Sequence, residues 1–97
     1  MSGPVEDSRA RLDQSRVHVL KSDFLTCFTF AAVAAARLKT GNQESAEQAI
    51  ADAEKGYTTL SHLLSDPKHV STLTADQVRE FTTELQRLRE RLDGLRR

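Results

Sequence analysis

The sequence is poor in the residues that crosslink, interrupt or fill a globular fold. It has one cysteine, two prolines, four glycines, five aromatic side chains and no tryptophan in 97 residues. The single cysteine, Cys27, excludes an internal disulfide, and a reducing compartment is the simplest expectation. With so few aromatic residues, any core must consist mainly of Leu, Val and Ala, which suits helices in close contact. A chain of this length forms one domain at most.

The chain also lacks net charge and a long apolar run. Fourteen basic residues balance fourteen acidic ones, so there is no general attraction to nucleic acid or to anionic membranes. The longest uncharged run, residues 24–36, is shorter than the roughly 20 residues that a membrane span needs. Residues 1–13 contain no apolar stretch of the kind that secretory signals carry. We therefore expect a cytoplasmic protein that does not span a membrane.

Strand signals are missing, whereas helix-favouring residues are abundant. No segment alternates β-branched and polar residues with a period of two, and Ala, Leu, Arg, Glu and Gln dominate the composition. The pattern predicts an all-α protein, a single helical domain over residues 1–97. Helices are expected at about 8–40, 43–65 and 75–96, with residues 1–7 as a flexible N-terminus.

Apolar residues recur along each predicted helix at helical spacing. In the first and third helices the intervals alternate between three and four residues, which places one apolar seam on one face. The second helix has a similar apolar face. The three sets are Val17, Leu20, Phe24, Cys27, Ala31, Ala34 and Leu38; Ala46, Ala49, Ile50, Ala53, Tyr57, Leu60, Leu63 and Leu64; and Val78, Phe81, Leu85, Leu88, Leu92 and Leu95.

The helix boundaries are marked by residues with known terminal preferences. Gly41 favours the left-handed conformation that closes a helix, and Asn42 is a good N-cap for the next one. The residue before Pro67 avoids helical geometry, so the second helix is expected to end at Asp66. Thr74 and a glutamine three residues later form the capping-box pattern at the start of the third helix.

The connections predict how the helices are arranged. The tight turn at residues 40–42 makes the first two helices antiparallel neighbours, and the loop over residues 66–73 returns the third beside both. We therefore predict an antiparallel up-down-up three-helix bundle with a long first helix. An acidic second helix and an arginine-rich end of the third complement each other in this arrangement. The arginines are interleaved with acidic residues, which argues against a nucleic-acid interface.

The middle of the first helix indicates a partner. No residue between Phe24 and Ala36 is charged, although a surface helix normally keeps a polar stripe. We predict that this segment forms an oligomer interface and that the bundle dimerises into a larger one of six helices. A helix of another protein docking on the same surface is the alternative. The predicted interface residues are Phe24, Leu25, Phe28, Ala32 and Val33.

Residues that could carry chemistry are scattered. The three histidines have no second ligand at metal-binding spacing, and Cys27 should face about residue 55 of the second helix rather than His62. There is no phosphate-binding or dinucleotide-binding motif. We therefore predict a non-enzymatic protein with no catalytic, metal or cofactor site. The alternative function is a small-molecule-binding bundle, with a ligand between helices lined by Phe24, Cys27, Phe28, Tyr57 and Leu60.

Overall fold

The computed structural model of the chain describes the backbone of residues 4–96 and the side chains of residues 15–96. This part of the chain is all-helical and contains no strand. Four helices pack together: α1 (Pro4–Lys39), α2 (Gln43–Ser65), α3 (Pro67–Val70) and α4 (Ala75–Leu95). The all-α prediction is therefore confirmed.

Two elements differ from the predicted boundaries. The first helix begins at Pro4 rather than near residue 8, so residues 4–7 of the predicted flexible segment are helical. Residues 1–3 of that segment lie outside the described residues. The second difference is α3, a single turn within the predicted 66–73 loop. Proline explains both starts, because its fixed φ suits the first position of a helix and its missing N–H costs nothing there.

The residues predicted to mark helix ends lie at helix ends in the structure, with one difference at Asn42. Gly41 has a φ of 78°, and Asp66 is extended, with a ψ of 117°, where α2 ends. At the start of α4 the Thr74 hydroxyl accepts the Gln77 N–H at 3.1 Å, and the Gln77 side chain accepts the Thr74 N–H at 2.9 Å. Asn42 is the N-cap residue of α2, but its side chain makes no capping hydrogen bond.

The core consists of the apolar seams of α1, α2 and α4. Phe24 of α1 is only 4% exposed and stacks on Phe81 of α4 with 5.7 Å between ring centroids. Alanines fill much of the α1–α2 contact, so the two helices approach closely. The buried side chains are Leu20, Phe24, Cys27, Ala31, Ala34, Ala46, Ala49, Ile50, Ala53, Leu60, Phe81, Leu88 and Leu92.

Contacts between helices lie at several levels of the molecule. Beside the α1–α2 turn, Arg37 donates to the Ser45 carbonyl at 3.3 Å. Near the middle of the helices, Cys27 lies directly against Gly56, where an added Cβ atom would collide with the Cys27 sulfur. This places Cys27 one residue from its predicted level near residue 55. The missing side chain of Gly56 makes room for the thiol.

Candidate interaction surface

The outer face of α1 is an exposed, uncharged strip on the side opposite the core. Its residues follow each other at intervals of three, four, three and four, which gives a second heptad seam on the same helix. Leu25 in this strip is 68% exposed. The strip is formed by Ser22, Leu25, Thr29, Ala32 and Ala36, all of them exposed.

The threonines of this region are less polar than their side chains suggest. The Thr26 hydroxyl donates to the Ser22 carbonyl at 3.0 Å, and the Thr29 hydroxyl donates to the Leu25 carbonyl at 2.8 Å. These bonds within the helix satisfy the hydroxyl donors of both threonines. The strip therefore presents a largely apolar surface.

The structure separates the five residues predicted to form an interface. Leu25 and Ala32 lie on the outer face of α1, and Phe28 and Val33 are half-buried beside it. Phe24 belongs to the core of the chain itself, where it is 4% exposed and stacks on Phe81.

The uncharged segment therefore contains two seams, one facing inward and one facing outward. Sequence reasoning missed Ser22, Thr29 and Ala36, although the repeating interval on either side of Leu25 was the signal that could have found them.

The other two long helices have ordinary charged surfaces. Exposed residues of α2 include Glu44, Glu47 and Lys55, and those of α4 alternate acidic and basic side chains along its length. Such faces are stable in water without a partner. The outer face of α1 is thus the exception among the long helices.

The arginines of α4 are engaged within the chain. Arg96 binds Glu54 of α2 through two hydrogen bonds of 2.7 Å, and Arg89 binds Asp93 at 2.7 Å while it lies over the Tyr57 ring. Another arginine stands over an α1 aromatic ring, since the Arg91 guanidinium is 5.6 Å from the Phe28 centroid. Arg97 lies outside the described residues. These contacts join α4 to its neighbours, as the complementary charges of the sequence predict.

Cys27 is in a setting that disfavours thiolate chemistry. Burial of the side chain, and to a smaller extent the negative charge of Asp23, raises the pKa of the Cys27 thiol above its ordinary range. The thiol faces Gly56, while His62 is exposed. Within residues 15–96, no group of three or more His, Cys, Asp or Glu side chains could hold a metal ion.

The predicted ligand-lining residues do not surround one cavity. Phe24 and Phe28 line a groove of about 230 Å³ between α1 and α4, whereas Cys27 and Leu60 line another of about 210 Å³ between α1 and α2. Tyr57 lies beneath the guanidinium of Arg89. A further groove, of about 220 Å³, lies between α1, the end of α2 and the α3 region.

One segment of α1 has the length and composition of a membrane span. In the described part of the chain, this segment is Ser15–Lys39, with a mean hydropathy of 1.5 in its apolar window. The core helices of soluble proteins and signal sequences have the same property. In this structure α1 contributes five side chains to the core, and 28% of the apolar window is buried.

Comparison with known proteins gives no family assignment. No family model matches the chain, and no curated protein or solved structure matches it. The case for a function therefore depends on the surface of this molecule.

Proposed function

We propose that this chain is a cytoplasmic, non-enzymatic interaction module, an up-down-up bundle of α1, α2 and α4 that forms a symmetric homodimer through the outer face of α1. The observation that carries the proposal is the exposed strip without charge around Leu25. The dimer would contain six long helices, with the two α1 helices at its centre.

Contacts along the helices support the proposed topology. Cys27 faces Gly56 while Arg37 reaches Ser45, so rising numbers on α1 pair with falling numbers on α2, as in antiparallel helices. Between α1 and α4 the numbers rise together, because Phe24 meets Phe81 and Phe28 meets Arg91. Pairings of this kind are expected for an up-down-up bundle.

The composition of the outer face supports a second copy as the partner. In a two-fold dimer each patch meets itself, so a charged patch would meet like charge, whereas this strip carries none. The zero net charge of the chain also leaves little long-range repulsion between copies. Ala32 and Ala36 are small enough for two helix axes to approach to about 8 Å.

Burial of Leu25 contributes to the free energy of dimerisation. Fully burying a leucine is worth about 1.5–3 kcal/mol, so covering its exposed part yields roughly 1–2 kcal/mol in each copy. This gain is offset by the loss of translational and rotational freedom on association. A micromolar dissociation constant corresponds to about −8 kcal/mol, so burial of the other strip residues must supply most of the association free energy. We expect a weak dimer in this micromolar range.

Packing within the chain favours a protein partner over a membrane. Insertion of α1 into a bilayer would remove Leu20, Phe24 and Cys27 from the core that they form with α2 and α4. The charged faces of those two helices would then have to separate from α1 or enter the bilayer with it. Association through the outer face leaves the core intact.

Sedimentation equilibrium tests the proposal directly. The wild-type chain should show a mass rising toward twice 10.8 kDa as its concentration increases. Leu25→Glu and Ala32→Glu should each place two like charges together in the dimer and raise the dissociation constant by about 100-fold or more. Ala51→Glu, a matched change from an exposed alanine on α2, should leave the dimer unchanged.

Three results would contradict this proposal. A wild-type chain that stays monomeric up to about 100 µM would exclude a homodimer of the expected affinity. A dimer that Ala51→Glu weakens as much as Ala32→Glu would place the interface elsewhere. Flotation of the folded chain with neutral lipid vesicles, lost in Leu25→Glu, would assign the strip to a lipid surface instead.

A further inference from the structure

An apolar groove lies beside the end of α2 that is farther from the α1–α2 turn. We call it the leucine groove. Its volume is about 220 Å³, and side chains from α1, the end of α2 and the segment after α3 form it. Val19 stands at its mouth and is 54% exposed. The aliphatic lining consists of Val19, Leu20, Leu63, Leu64 and Leu73.

Among the described residues that line the groove, the side chains of Arg16 and His69 are exposed. The Thr72 hydroxyl donates to the His69 carbonyl at 2.7 Å, so that donor is already used. No carboxylate is found among the described residues that line the groove. The rim therefore combines positive charge with hydrogen-bond donors.

The volume limits what the groove can hold. At the roughly 30 Å³ that a water-sized group occupies in a liquid, it takes about seven heavy atoms. Drug-sized ligands generally need about 300–1,000 Å³. A short, slender, apolar chain fits this space.

We infer that the leucine groove binds an unbranched carboxylate of about six to eight carbons. The hydrocarbon tail lies along the leucines, and the carboxylate remains at the exposed rim beside Arg16 and His69. A guanidinium carries its charge throughout the accessible pH range and can donate two parallel hydrogen bonds to a carboxylate. The imidazole of His69 supplies a further donor. This site is independent of the outer face of α1.

Titration of the full chain with octanoate, followed by amide chemical shifts, tests this inference. Affinity should rise about fourfold per methylene from butanoate to octanoate, because each added methylene is removed from water. Shifts should concentrate on the residues of the leucine groove. Octanol, which has the same tail without the charge, should bind more weakly than octanoate.

Two variants and a matched control separate the tail site from the charge site. Arg16→Gln should weaken octanoate about tenfold and leave octanol unchanged. Val19→Glu should weaken both ligands, because it places a carboxylate at the mouth of the groove. Arg79→Gln removes an exposed arginine of α4 and should change neither.

Several results would overturn the inference. An affinity that does not depend on the length of the ligand's hydrocarbon chain would exclude an apolar tail site. Equal losses of octanoate affinity in Arg16→Gln and Arg79→Gln would mean that octanoate responds only to the net charge of the protein. Leu25→Glu, which should prevent dimerisation, must retain octanoate binding. Loss of octanoate binding in Leu25→Glu would show that the ligand site depends on the dimer. If the wild type is monomeric and still binds octanoate, the dimer proposal fails and the leucine groove remains a ligand site.

Discussion

Gly56 and Cys27 form the contact on which the fit of α1 against α2 depends most visibly. A helix-interior glycine ordinarily costs about 1 kcal/mol relative to alanine, so its presence needs a packing reason. The reason here is the Cys27 sulfur, which occupies the place where a Gly56 side chain would begin. At position 56 the contact between α1 and α2 therefore outweighs the preference of a helix for alanine over glycine.

Replacing Gly56 by alanine should therefore destabilise the protein despite the better helix propensity. The new methyl group would force a shift of the buried thiol, and overpacking of this kind costs about 1–3 kcal/mol. We expect a net loss of about 1 kcal/mol in the free energy of unfolding, measured by urea denaturation.

Two further variants test the cause of that loss. In a Cys27→Ala background the sulfur is absent, so Gly56→Ala should become stabilising by up to about 1 kcal/mol. Gly94→Ala, in α4 with nothing within 4 Å of the new methyl group, should stabilise by about 0.5 kcal/mol. If Gly56→Ala were equally destabilising with and without the sulfur, the contact would not explain the glycine.

At the level of the elements, α2 and α4 begin in different ways although both have a good N-cap residue. Thr74 and Gln77 exchange two hydrogen bonds at the start of α4. Asn42 occupies the corresponding position of α2 without a side-chain bond, and its ψ of 72° differs from the extended ψ of 162° at Thr74. A sequence pattern identifies the capping position in both cases, but the geometry of the turn decides whether the side chain is used.

The two caps should respond differently to the same substitution. Thr74→Ala should lower the free energy of unfolding by about 1 kcal/mol, since it leaves the Gln77 N–H without its acceptor. Asn42→Ala should change it by only a few tenths of a kcal/mol. Thr74→Ser is the conservative control and should retain most of the stability. Equal losses in urea denaturation for Asn42→Ala and Thr74→Ala would contradict the capping difference.

As a whole, the molecule is long and thin, because one helix is much longer than the others. Its extents are 62 × 19 × 17 Å, and its radius of gyration of 16.4 Å exceeds the roughly 13 Å of a compact 100-residue domain. With Cys27 opposite Gly56, the end of α2 at Ser65 lies near the level of His18. The first part of α1 therefore extends beyond α2. In a molecule of this shape each long helix is in contact with few neighbours, and one side of α1 is left exposed.

The uncovered side predicts a stability that depends on protein concentration. A partner that binds the folded state and not the unfolded state stabilises the folded state. The melting temperature of the wild type should therefore rise over two successive tenfold increases in protein concentration. Leu25→Glu should melt at one temperature throughout the same series, and Ala51→Glu should behave like the wild type. A wild-type melting temperature that stays constant while sedimentation shows a dimer would mean that the monomer unfolds independently of the interface.

Local patterns determined much of this protein. The seams from Leu20 to Ala34 and from Phe81 to Leu92 could be found from spacing alone, because a helix repeats its faces every 3.6 residues. Gly41, Pro67 and the Thr74 capping box mark their boundaries for equally local reasons. The sequence also indicated that the uncharged middle of α1 has more apolar surface than one core contact needs.

Tertiary structure decided how that apolar surface is divided. Phe24 is buried in the core because Phe81, 57 positions later in the chain, stacks on it, whereas Leu25 is exposed. The leucine groove exists only because α3 brings Leu73 beside Val19 and Leu64. Such arrangements depend on residues far apart in the chain, whose relative positions no local period specifies. The sequence by itself therefore determined the helices and their inward faces, and only the packing of those helices decided which outward surfaces remain open to a partner or a ligand.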